Sequence, residues 1–528
     1  MLESIGVKNF RSLKNINLNG KNMVDIKPLT VLLGKNSSGK SSFLRLFPLF
    51  KQSVSTRTRG ALAFFGDEVD FGDFHTTISN AENKKNDKKD SFIEFDFSGI
   101  INRRSLSFYT GRFDRTRLSN ANRSGISYEV TMKVSWNEKK EISYISFFSL
   151  KIFENTYSFE ARENGTVTSF SLNKTKYADE TCNMQVQYAL RRSGFPYFEE
   201  NENDKSLTNK FIQFITKNKI SSNEISYSDL RFFRDCSMNK EDEIKNFFED
   251  EKNYQSYISN EQIKDRLKKI LSSKREFHRF YNYFSLFKFG ELYEAVVQDL
   301  CDVFQAISYS KPLRANADRY YRSRFFFARE LNSDGSNLVD FFVNLSDSQQ
   351  SELTSWMKDN FGFWYSIESL EGHKSIFIYE KDDVKHNITD MGFGFSQILP
   401  VVTQLWSSTR YTRGPQFHRM RTSNLIYAIE QPELHLHPSM QCSLIKAIVQ
   451  MISIAKERKL NLNFIIETHS ESIINQIGRL IRSGKLTCEE SSVLIFSKNN
   501  PDSFTKIQSS SFDKDGFLTE WPIGFFGE

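Results

Sequence analysis

The sequence predicts an α/β fold: a mixed sheet with flanking helices, interrupted by an antiparallel β lobe and a helical insertion. Three observations carry this prediction. Apolar strand patterns followed by helical periodicity occur at both ends of the chain, short alternating runs follow the first end, and long charged stretches with helical periodicity follow those runs. At 528 residues the chain is too long for one simple core, so an inserted domain is expected.

These patterns divide the chain into four parts. Residues 1–90 form the first part of the core, 91–205 the β lobe, 206–310 the helical insertion and 311–528 the second part of the core. The insertion lacks a sustained heptad repeat, which favours a helical subdomain over a coiled-coil arm. In the last part, the order strand, helix, strand, helix after Asn424 is typical of a parallel βαβ unit.

Composition narrows the class of protein. With 39% hydrophobic and 26% charged residues the chain can bury a core, and its net charge of +6 is mild for a dedicated nucleic-acid binder. No apolar run is long enough for a membrane span or a secretory signal. The cysteines never form a CxxC pair, which fits a reducing compartment. We therefore expect a soluble, cytoplasmic protein.

A glycine-rich loop follows the apolar strand that ends at Leu33. Its residues match the pattern GxxxxGK[ST]: Gly34, Lys35, Asn36, Ser37, Ser38, Gly39, Lys40 and Ser41. Backbone N–H groups of such a loop converge on phosphate oxygens, the lysine reaches the terminal phosphates, and the serine hydroxyl ligates Mg²⁺. The alternative, a turn that matches the pattern by chance, is disfavoured by the strand and helix on either side. Pro48 should kink the helix that follows.

Two later strands end in acidic residues, Glu430 and Glu467. The strand from Asn424 delivers Glu430 at its carboxyl end, followed by Gln431 and Glu433, where ligands gather in open α/β sheets. Glu430 is in the Walker B position and would hold Mg²⁺ with Ser41, directly or through water. Taken alone, an acidic residue there could also be a solvated strand end.

Histidines occur near the same strand ends. His469 follows the next strand and could bond the terminal phosphate, although a histidine at a strand end is more often a local hydrogen-bonding group. His435 and His437 are spaced i, i+2 without a nearby third ligand, so a zinc site there is weakly supported.

A second glycine segment precedes a helix. Gly392, Gly394, Ser396 and Gln397 lead into the apolar run ILPVVTQLW. Free N–H groups at this helix start and the serine hydroxyl could bind a phosphate. Because the first loop already covers one face of a nucleotide, a second anion site implies another molecule and hence a head-to-tail dimer. A simple turn before a core helix is the alternative.

Together these motifs resemble the ABC-type ATPases of the structural-maintenance-of-chromosomes (SMC) and OLD group. GVKNFRSLKNINL before GKNSSGKS resembles their N-terminal signature, DMGFGFSQILPVV their signature helix, IEQPELHLHP their Walker B segment and ETHSESII their switch-histidine segment. More narrowly, ETHSE and the ending WPIGFFGE are similar to the PtuA-type ATPase subunits of Septu and retron-linked Septu anti-phage systems. The resemblance covers both ends of the chain and not the middle.

The resemblance implies ATP and Mg²⁺ as cofactors and an oligomer. Two subunits would enclose ATP between Gly34–Ser42 of one chain and Gly392–Gln397 of the other. It also implies an HNH-type nuclease partner and, in retron versions, a reverse transcriptase with its RNA–DNA product. The sequence contains no HNH-like or TOPRIM-like acidic set, so we expect the nuclease chemistry elsewhere. Alternatives are a repair or recombination ATPase acting on DNA ends and a slowly hydrolysing ATP-binding scaffold.

One position departs from the family pattern. Relatives commonly carry a carboxylate directly after the Walker B acid, whereas this chain has Gln431. An amide orients attacking water but cannot accept its proton, which predicts slow hydrolysis. Glu433 would be a substitute base, and we take Gln431, Glu433 and His469 as the candidate catalytic residues.

Arginines mixed with aromatic residues suggest nucleic-acid contact, although solvated faces or protein interfaces are as common an interpretation. They form three clusters: Arg103, Arg104, Arg112, Arg115, Arg117 and Arg123; Arg319, Arg322, Arg324 and Arg329; and Arg410, Arg413, Arg419 and Arg421.

Overall fold

The structure is a computed structural model. It describes the chain except residues 17, 19, 57–58, 80–90, 102–124, 180–183, 188–194, 201–205, 218–225, 237–239, 323–327, 329, 371, 381–383, 411–423, 501–502 and 522–528. Within the described chain, every helix falls short of the length or apolarity that crossing a bilayer requires.

The strands, in chain order, are β1 (Leu2–Phe10), β2 (Leu13–Asn15), β3 (Val24–Asp25), β4 (Leu29–Gly34), β5 (Phe92–Ile101), β6 (Ile126–Asn137), β7 (Ile142–Ile152), β8 (Asn155–Ala161), β9 (Val167–Leu172), β10 (Thr175–Asp179), β11 (Met184–Gln187), β12 (Tyr197–Glu200), β13 (Ile307–Ser310), β14 (Tyr321–Arg322), β15 (Trp364–Leu370), β16 (His373–Tyr379), β17 (Lys385–Asn387), β18 (Asn424–Glu430), β19 (Asn461–Glu467), β20 (Ser491–Ser497) and β21 (Lys506–Ser510).

The α-helices are α1 (Lys40–Leu44), α2 (Leu46–Ser55), α3 (Phe74–Thr77), α4 (Leu207–Thr216), α5 (Tyr227–Asp235), α6 (Glu241–Glu249), α7 (Glu261–Leu271), α8 (Lys274–Gln305), α9 (Leu338–Val343), α10 (Asp347–Phe361), α11 (Phe393–Arg410), α12 (Pro438–Glu457) and α13 (Glu471–Arg482).

A core sheet of six strands holds the phosphate loop. Its order is β13-β18-β19-β4-β20-β21, and all neighbours are parallel except β20 and β21. The carboxyl ends of β4, β18 and β19 therefore meet at one edge. Alternate residues of the strands point into two hydrophobic cores: Leu29, Val31 and Leu33 of β4 enter one, and Leu32 enters the other. Buried on both faces, these strands read as continuous apolar runs.

The β lobe is a nine-stranded antiparallel sheet. Its order is β10-β9-β8-β7-β6-β5-β1-β2, with β3 also paired to β1. Burial alternates residue by residue along β5, as expected for strands packed on one face. The lobe sheet thus includes β1, although β1 belongs to residues 1–90, which the sequence assigns to the core. In the structure, β1 pairs with β5. This pairing ties the N-terminus of the chain to the lobe.

The long helix α8 connects the helical insertion to both neighbouring regions. Its Phe289 packs against the lobe residues Phe170 and Tyr157, with ring centroids 4.7 and 5.2 Å apart. Near its other end, Phe304 stacks on Phe50 of α2 at 4.7 Å. Residues of α8 are buried along its whole length, so it is an internal packing element and not a free arm. The elements confirm the predicted α/β class with its β lobe and helical insertion.

Candidate functional site: the carboxyl edge of the core sheet

The phosphate loop connects β4 to α1 in a conformation that requires glycine at both ends. Gly34 and Gly39 have φ angles of 150° and 104°. A Cβ atom on Gly34 would lie 2.3 Å from the carbonyl oxygen of Phe496 in β20. Lys35, Asn36 and Ser37 form the exposed rim of the loop, and Ser42 lies within α1. The loop is thus packed tightly against the sheet on one side and open on the other.

Two other segments support the outside of the loop. The hydroxyl of Thr505 donates a 2.7 Å hydrogen bond to the carbonyl of Ser38 and lies 2.8 Å from the hydroxyl of Ser12. A Cβ atom on Gly39 would lie 2.5 Å from Thr505 Oγ1. The turn after β1 and the segment before β21 therefore fix the loop backbone, which lowers the entropy cost of ordering it around a ligand.

Lys40 points back into the loop that it follows. Its side chain is 3% exposed, and Nζ donates to the carbonyl oxygens of Gly34 and Lys35 at 2.8 and 3.0 Å. Burial lowers the pKa of the Lys40 ammonium. A buried cation ringed by neutral carbonyl dipoles attracts a multiply charged anion, such as a triphosphate, entering the loop.

The helix after the loop is interrupted at Arg45, between α1 and α2. Pro48 lacks the N–H that would bond the carbonyl of Leu44, the last residue of α1, so it accounts for the predicted kink. Arg45 uses its place at the interruption to reach the core sheet. Its Nε and Nη2 donate to Oε1 and Oε2 of Glu430 at 2.6 and 2.8 Å.

Glu430 is fully engaged by protein groups. Its side chain is 2% exposed, and besides the bidentate pair with Arg45 it accepts a 2.6 Å hydrogen bond from the hydroxyl of Tyr309 in β13. The hydrogen bond to Glu430 raises the pKa of Arg45, so the guanidinium remains charged in this pair. This partnership was missed from the sequence, although Arg45 follows Ser41 by four residues, the spacing that places both on one helix face.

Glu467 lies directly opposite Glu430 in the parallel pair of β18 and β19. Its Oε1 accepts a 2.8 Å hydrogen bond from the Ser41 hydroxyl and lies 3.9 Å from Lys40 Nζ. Burial, followed by the neighbouring Glu430 charge, raises the pKa of Glu467 to about 7. No role was assigned to Glu467 from the sequence. The signal was its position at the end of a strand adjacent to the Walker B strand.

The three candidate catalytic residues gather where β18 and β19 end. Gln431 has a φ of 40° and donates its N–H to the carbonyl of Glu467 at 2.8 Å. Oε1 of Glu433 accepts from the N–H of His469 at 2.6 Å, and burial raises the Glu433 pKa. Burial and the Lys40 charge lower the pKa of His469 to about 4. His469 is therefore neutral near pH 7 and suited to hydrogen bonding.

The glycine segment Gly392–Gln397 spans the start of α11, which begins at Phe393, and it is partly exposed and partly anchored. Gly392 has a φ of 75° with open space where a Cβ would lie, and Phe393 is 61% exposed. The hydroxyl of Ser396 donates to the Phe393 carbonyl at 2.8 Å. Gln397 is 3% exposed and exchanges hydrogen bonds with the backbone of Arg314. Outward contacts of this segment thus depend on Gly392–Gly394.

Arg314 joins this segment to the Walker B strand. Besides its two bonds with Gln397, its Nη2 donates to the carbonyl of Glu430 at 3.2 Å and its Nε to Ser310 Oγ at 3.4 Å. The residue is 5% exposed, and burial lowers its pKa to about 10. A movement of α11 would therefore be transmitted through Arg314 to the end of β18.

The model for the AAA ATPase domain matches residues 1–474, which is most of the chain and includes the phosphate loop, Glu430 and Glu467. This chain belongs to the AAA ATPase domain family. No curated protein sequence matches it significantly.

Several solved SMC head domains align with this AAA ATPase domain protein at low similarity. The head domain from Pyrococcus furiosus, with an extended coiled coil and bound to the C-terminal domain of ScpA, covers 97% of this chain and 96% of its own at 11% identity and a TM-score of 0.32. The head domain from Thermotoga maritima covers 96% and 97% at 10% identity and 0.28. The head domain with coiled coil and joint from Pyrococcus yayanosii covers 98% of both at 9% identity and 0.33. These values are too low to support a functional conclusion.

The two histidines near Walker B have local partners in the ATPase domain. His437 caps α12, with Nδ1 2.8 Å from Ser439 Oγ, and the ring of His435 lies 5.9 Å from that of Phe393. Across the described ranges, no three His, Cys, Asp or Glu side chains gather as a metal cage.

The arginine clusters fall largely outside the described residues. All of the first cluster, Arg324 and Arg329 of the second, and Arg413, Arg419 and Arg421 of the third lie there, and for Arg410 only the backbone is described. Arg319 forms an ion pair with Asp390.

Proposed function

We propose that this chain binds ATP with Mg²⁺, dimerises head-to-tail around it in the ABC manner, hydrolyses it slowly in the cytoplasm, and so controls a partner nuclease in anti-phage defence. The observation that carries the ATP site is Lys40, buried inside a glycine loop whose backbone is fixed from outside by Thr505 and Ser12. The dimer and the partner go further than this observation and rest on the arguments below.

The residues present fit a nucleotide with Mg²⁺. Lys40 supplies the cation for the terminal phosphates, and Ser41 Oγ lies at the carboxylate edge formed by Glu430 and Glu467. Within the described residues, Oε2 of Glu467 is buried without a hydrogen-bond partner, which marks a place for a cation. Ser41 and the carboxylates of this edge would hold Mg²⁺, directly or through water, and the ion neutralises phosphate charge when bound.

The head-to-tail arrangement is supported by the division of the site. Gly392 and Phe393 are presented outward, while the loop around Lys40 is open on its rim. In the proposed dimer, each completes the other across two copies. Arg314 would report closure, since it bonds both Gln397 of α11 and the end of the Walker B strand.

Slow hydrolysis follows from the groups around the reacting water. Gln431 can orient water but cannot take its proton, and Glu433 is the carboxylate beside it. Neutral His469 would hydrogen-bond the terminal phosphate. A long-lived ATP-bound dimer would then act as a state for a partner to read, since binding and not turnover sets the conformation.

The nuclease partner, the reverse transcriptase with its RNA–DNA product and nucleic-acid contact rest on the resemblance of ETHSE and the C-terminal ending to PtuA-type subunits. They extend the ATPase proposal, and it would stand even if these partners were absent.

Light scattering of the purified chain tests the central claim. With Mg²⁺ and a non-hydrolysable ATP analogue, the mass should double relative to the nucleotide-free sample, and Lys40→Ala should stay monomeric. A chain that binds the analogue but remains a monomer at all concentrations contradicts the dimer. For the partner, co-purification with an HNH nuclease encoded beside this chain is expected only when Lys40 is intact.

A further inference from the structure

The structure points to Glu467, on the strand between the phosphate-loop strand and the Walker B strand, as the carboxylate that binds Mg²⁺ together with Ser41. We infer that Glu430, in the conventional position, instead holds Arg45. The inference rests on the proposed ATP site and specifies its metal ligands.

The first argument is contact. Ser41 is the phosphate-loop hydroxyl predicted to ligate the ion, and it donates its hydrogen bond to Glu467 Oε1 at 2.8 Å. An ion bound through a lone pair of Ser41 Oγ would lie next to this hydroxyl. The carboxylate that already faces the hydroxyl, Glu467, is therefore in position to bind the same ion.

The second argument is spacing. Mg²⁺ demands near-octahedral ligands at roughly 2.0–2.1 Å, which places adjacent ligand oxygens about 2.9 Å apart. The 2.8 Å between Ser41 Oγ and Glu467 Oε1 matches this value. The two oxygens therefore already have the separation of neighbouring ligands.

The third argument is availability. Both oxygens of Glu430 are taken, one by Arg45 Nη2 and the other by Arg45 Nε and the Tyr309 hydroxyl. Direct metal binding there would break a bidentate pair whose carboxylate is 2% exposed, and breaking such pairs is costly. Glu430 therefore acts on the site indirectly, by holding Arg45 in position.

The charges of the two carboxylates are balanced differently. Glu430 is bonded directly by Arg45, whereas Glu467 is 2% exposed and its ion-pair partner is Lys40 at 3.9 Å, a lysine already bonded to two carbonyls. Its Oε2 has no hydrogen-bond partner among the described residues. A buried carboxylate left this way is stabilised by a second cation.

The test measures Mn²⁺ binding directly. Electron paramagnetic resonance counts free Mn²⁺ during titration of the chain saturated with a non-hydrolysable ATP analogue. In Glu467→Gln the Mn²⁺ affinity should fall at least 10-fold, on the order of losses for altered metal-site groups. Binding of the analogue in EDTA, followed by a fluorescent derivative, should change less than 3-fold.

Two variants control the assignment. Glu471→Gln removes an exposed carboxylate four residues after Glu467, in the first turn of α13, and it should keep Mn²⁺ affinity within 3-fold. Ser41→Ala should weaken Mn²⁺ binding, and combining it with Glu467→Gln should cost less than the sum of both, since adjacent ligands act together.

The outcomes separate this inference from the ATP proposal. If wild type fails to bind the analogue at all, the proposed function falls. If wild type binds analogue and Mn²⁺ and Glu467→Gln binds Mn²⁺ as tightly, Glu467 is not a ligand and the inference is overturned. Thermal unfolding of Glu467→Gln without nucleotide shows whether the variant is folded. If it is not, Glu467→Asp, which keeps the charge on a shorter side chain, is measured in its place, and unchanged Mn²⁺ affinity in that folded variant overturns the inference.

Discussion

The phosphate-loop edge and the glycine segment before α11 are both candidate phosphate contacts, but they are built in opposite ways. At the edge, Lys40 and Glu430 are 3% and 2% exposed and held by several hydrogen bonds each. At the glycine segment, Gly392 faces open space and Phe393 is 61% exposed. Only the inner end of that segment, at Gln397, is anchored.

The difference separates a prearranged site from a surface that needs a partner. A fixed cation and fixed loop bind phosphate with little reorganisation. An exposed glycine and aromatic ring gain their contacts only when another molecule covers them. We therefore expect changes at the edge to affect nucleotide binding within one chain, and changes at the glycine segment to affect association of two chains.

The largest effect is expected at Lys40. Lys40→Ala removes the loop cation, and ATP affinity measured by calorimetry should fall on the order of 100-fold. Lys446→Ala, on the exposed face of α12, should bind ATP as wild type does. Equal affinity in wild type and Lys40→Ala would show that the edge is not the nucleotide site.

The next effect concerns hydrolysis. Gln431→Glu restores a proton acceptor after the Walker B residue, so single-turnover hydrolysis should accelerate about 10-fold or more. Gln431→Ala should slow it, because water loses its orienting group. Rapid hydrolysis by wild type together with an unchanged rate in Gln431→Ala would refute the slow-switch interpretation.

A third change addresses the glycine segment. In Gly392→Asp a carboxylate faces an incoming phosphate, and the ATP-dependent dimer should weaken about 10-fold in sedimentation experiments, while each chain still binds ATP. Gly362→Asp is the matched control, since Gly362 also has a φ of 75° and open space at Cβ. If both variants weaken the dimer equally, backbone strain and not phosphate contact is responsible.

The smallest effect on nucleotide binding and hydrolysis is expected for the ion pair behind the site, since its loss acts mainly on stability. Arg45→Met leaves buried Glu430 with only the Tyr309 hydroxyl, and the nucleotide-free protein should lose about 3 kcal/mol, seen as a thermal midpoint a few degrees lower. Arg231→Met removes an exposed i,i+4 pair with Asp235 and should cost no more than about 0.5 kcal/mol. A similar loss of stability in both variants would show that the Arg45–Glu430 pair stabilises the protein no more than an exposed ion pair does.

Local patterns sufficed for the motif-bearing elements. The glycine pattern around Lys40 and the strands ending at Glu430 and Glu467 depend on neighbours in sequence, and the structure has them at one edge of a parallel sheet. The roles given to Gln431, Glu433, His469 and the segment from Gly392 stay predictions. The partners of the edge could not be foreseen, since Tyr309 and Arg45 are separated from Glu430 by 121 and 385 residues.

By itself the sequence determined the α/β class, the phosphate loop and the acidic strand ends, because periodicity and short motifs are read within one element at a time. Only the tertiary structure decided that β1 pairs with the lobe, that Arg45 occupies Glu430 and that Ser41 faces Glu467. Parallel register places Glu430 and Glu467 side by side, and Arg45 donates its hydrogen bonds to Glu430. Which carboxylate remains for a metal is thus set by packing between distant segments, which no local pattern encodes.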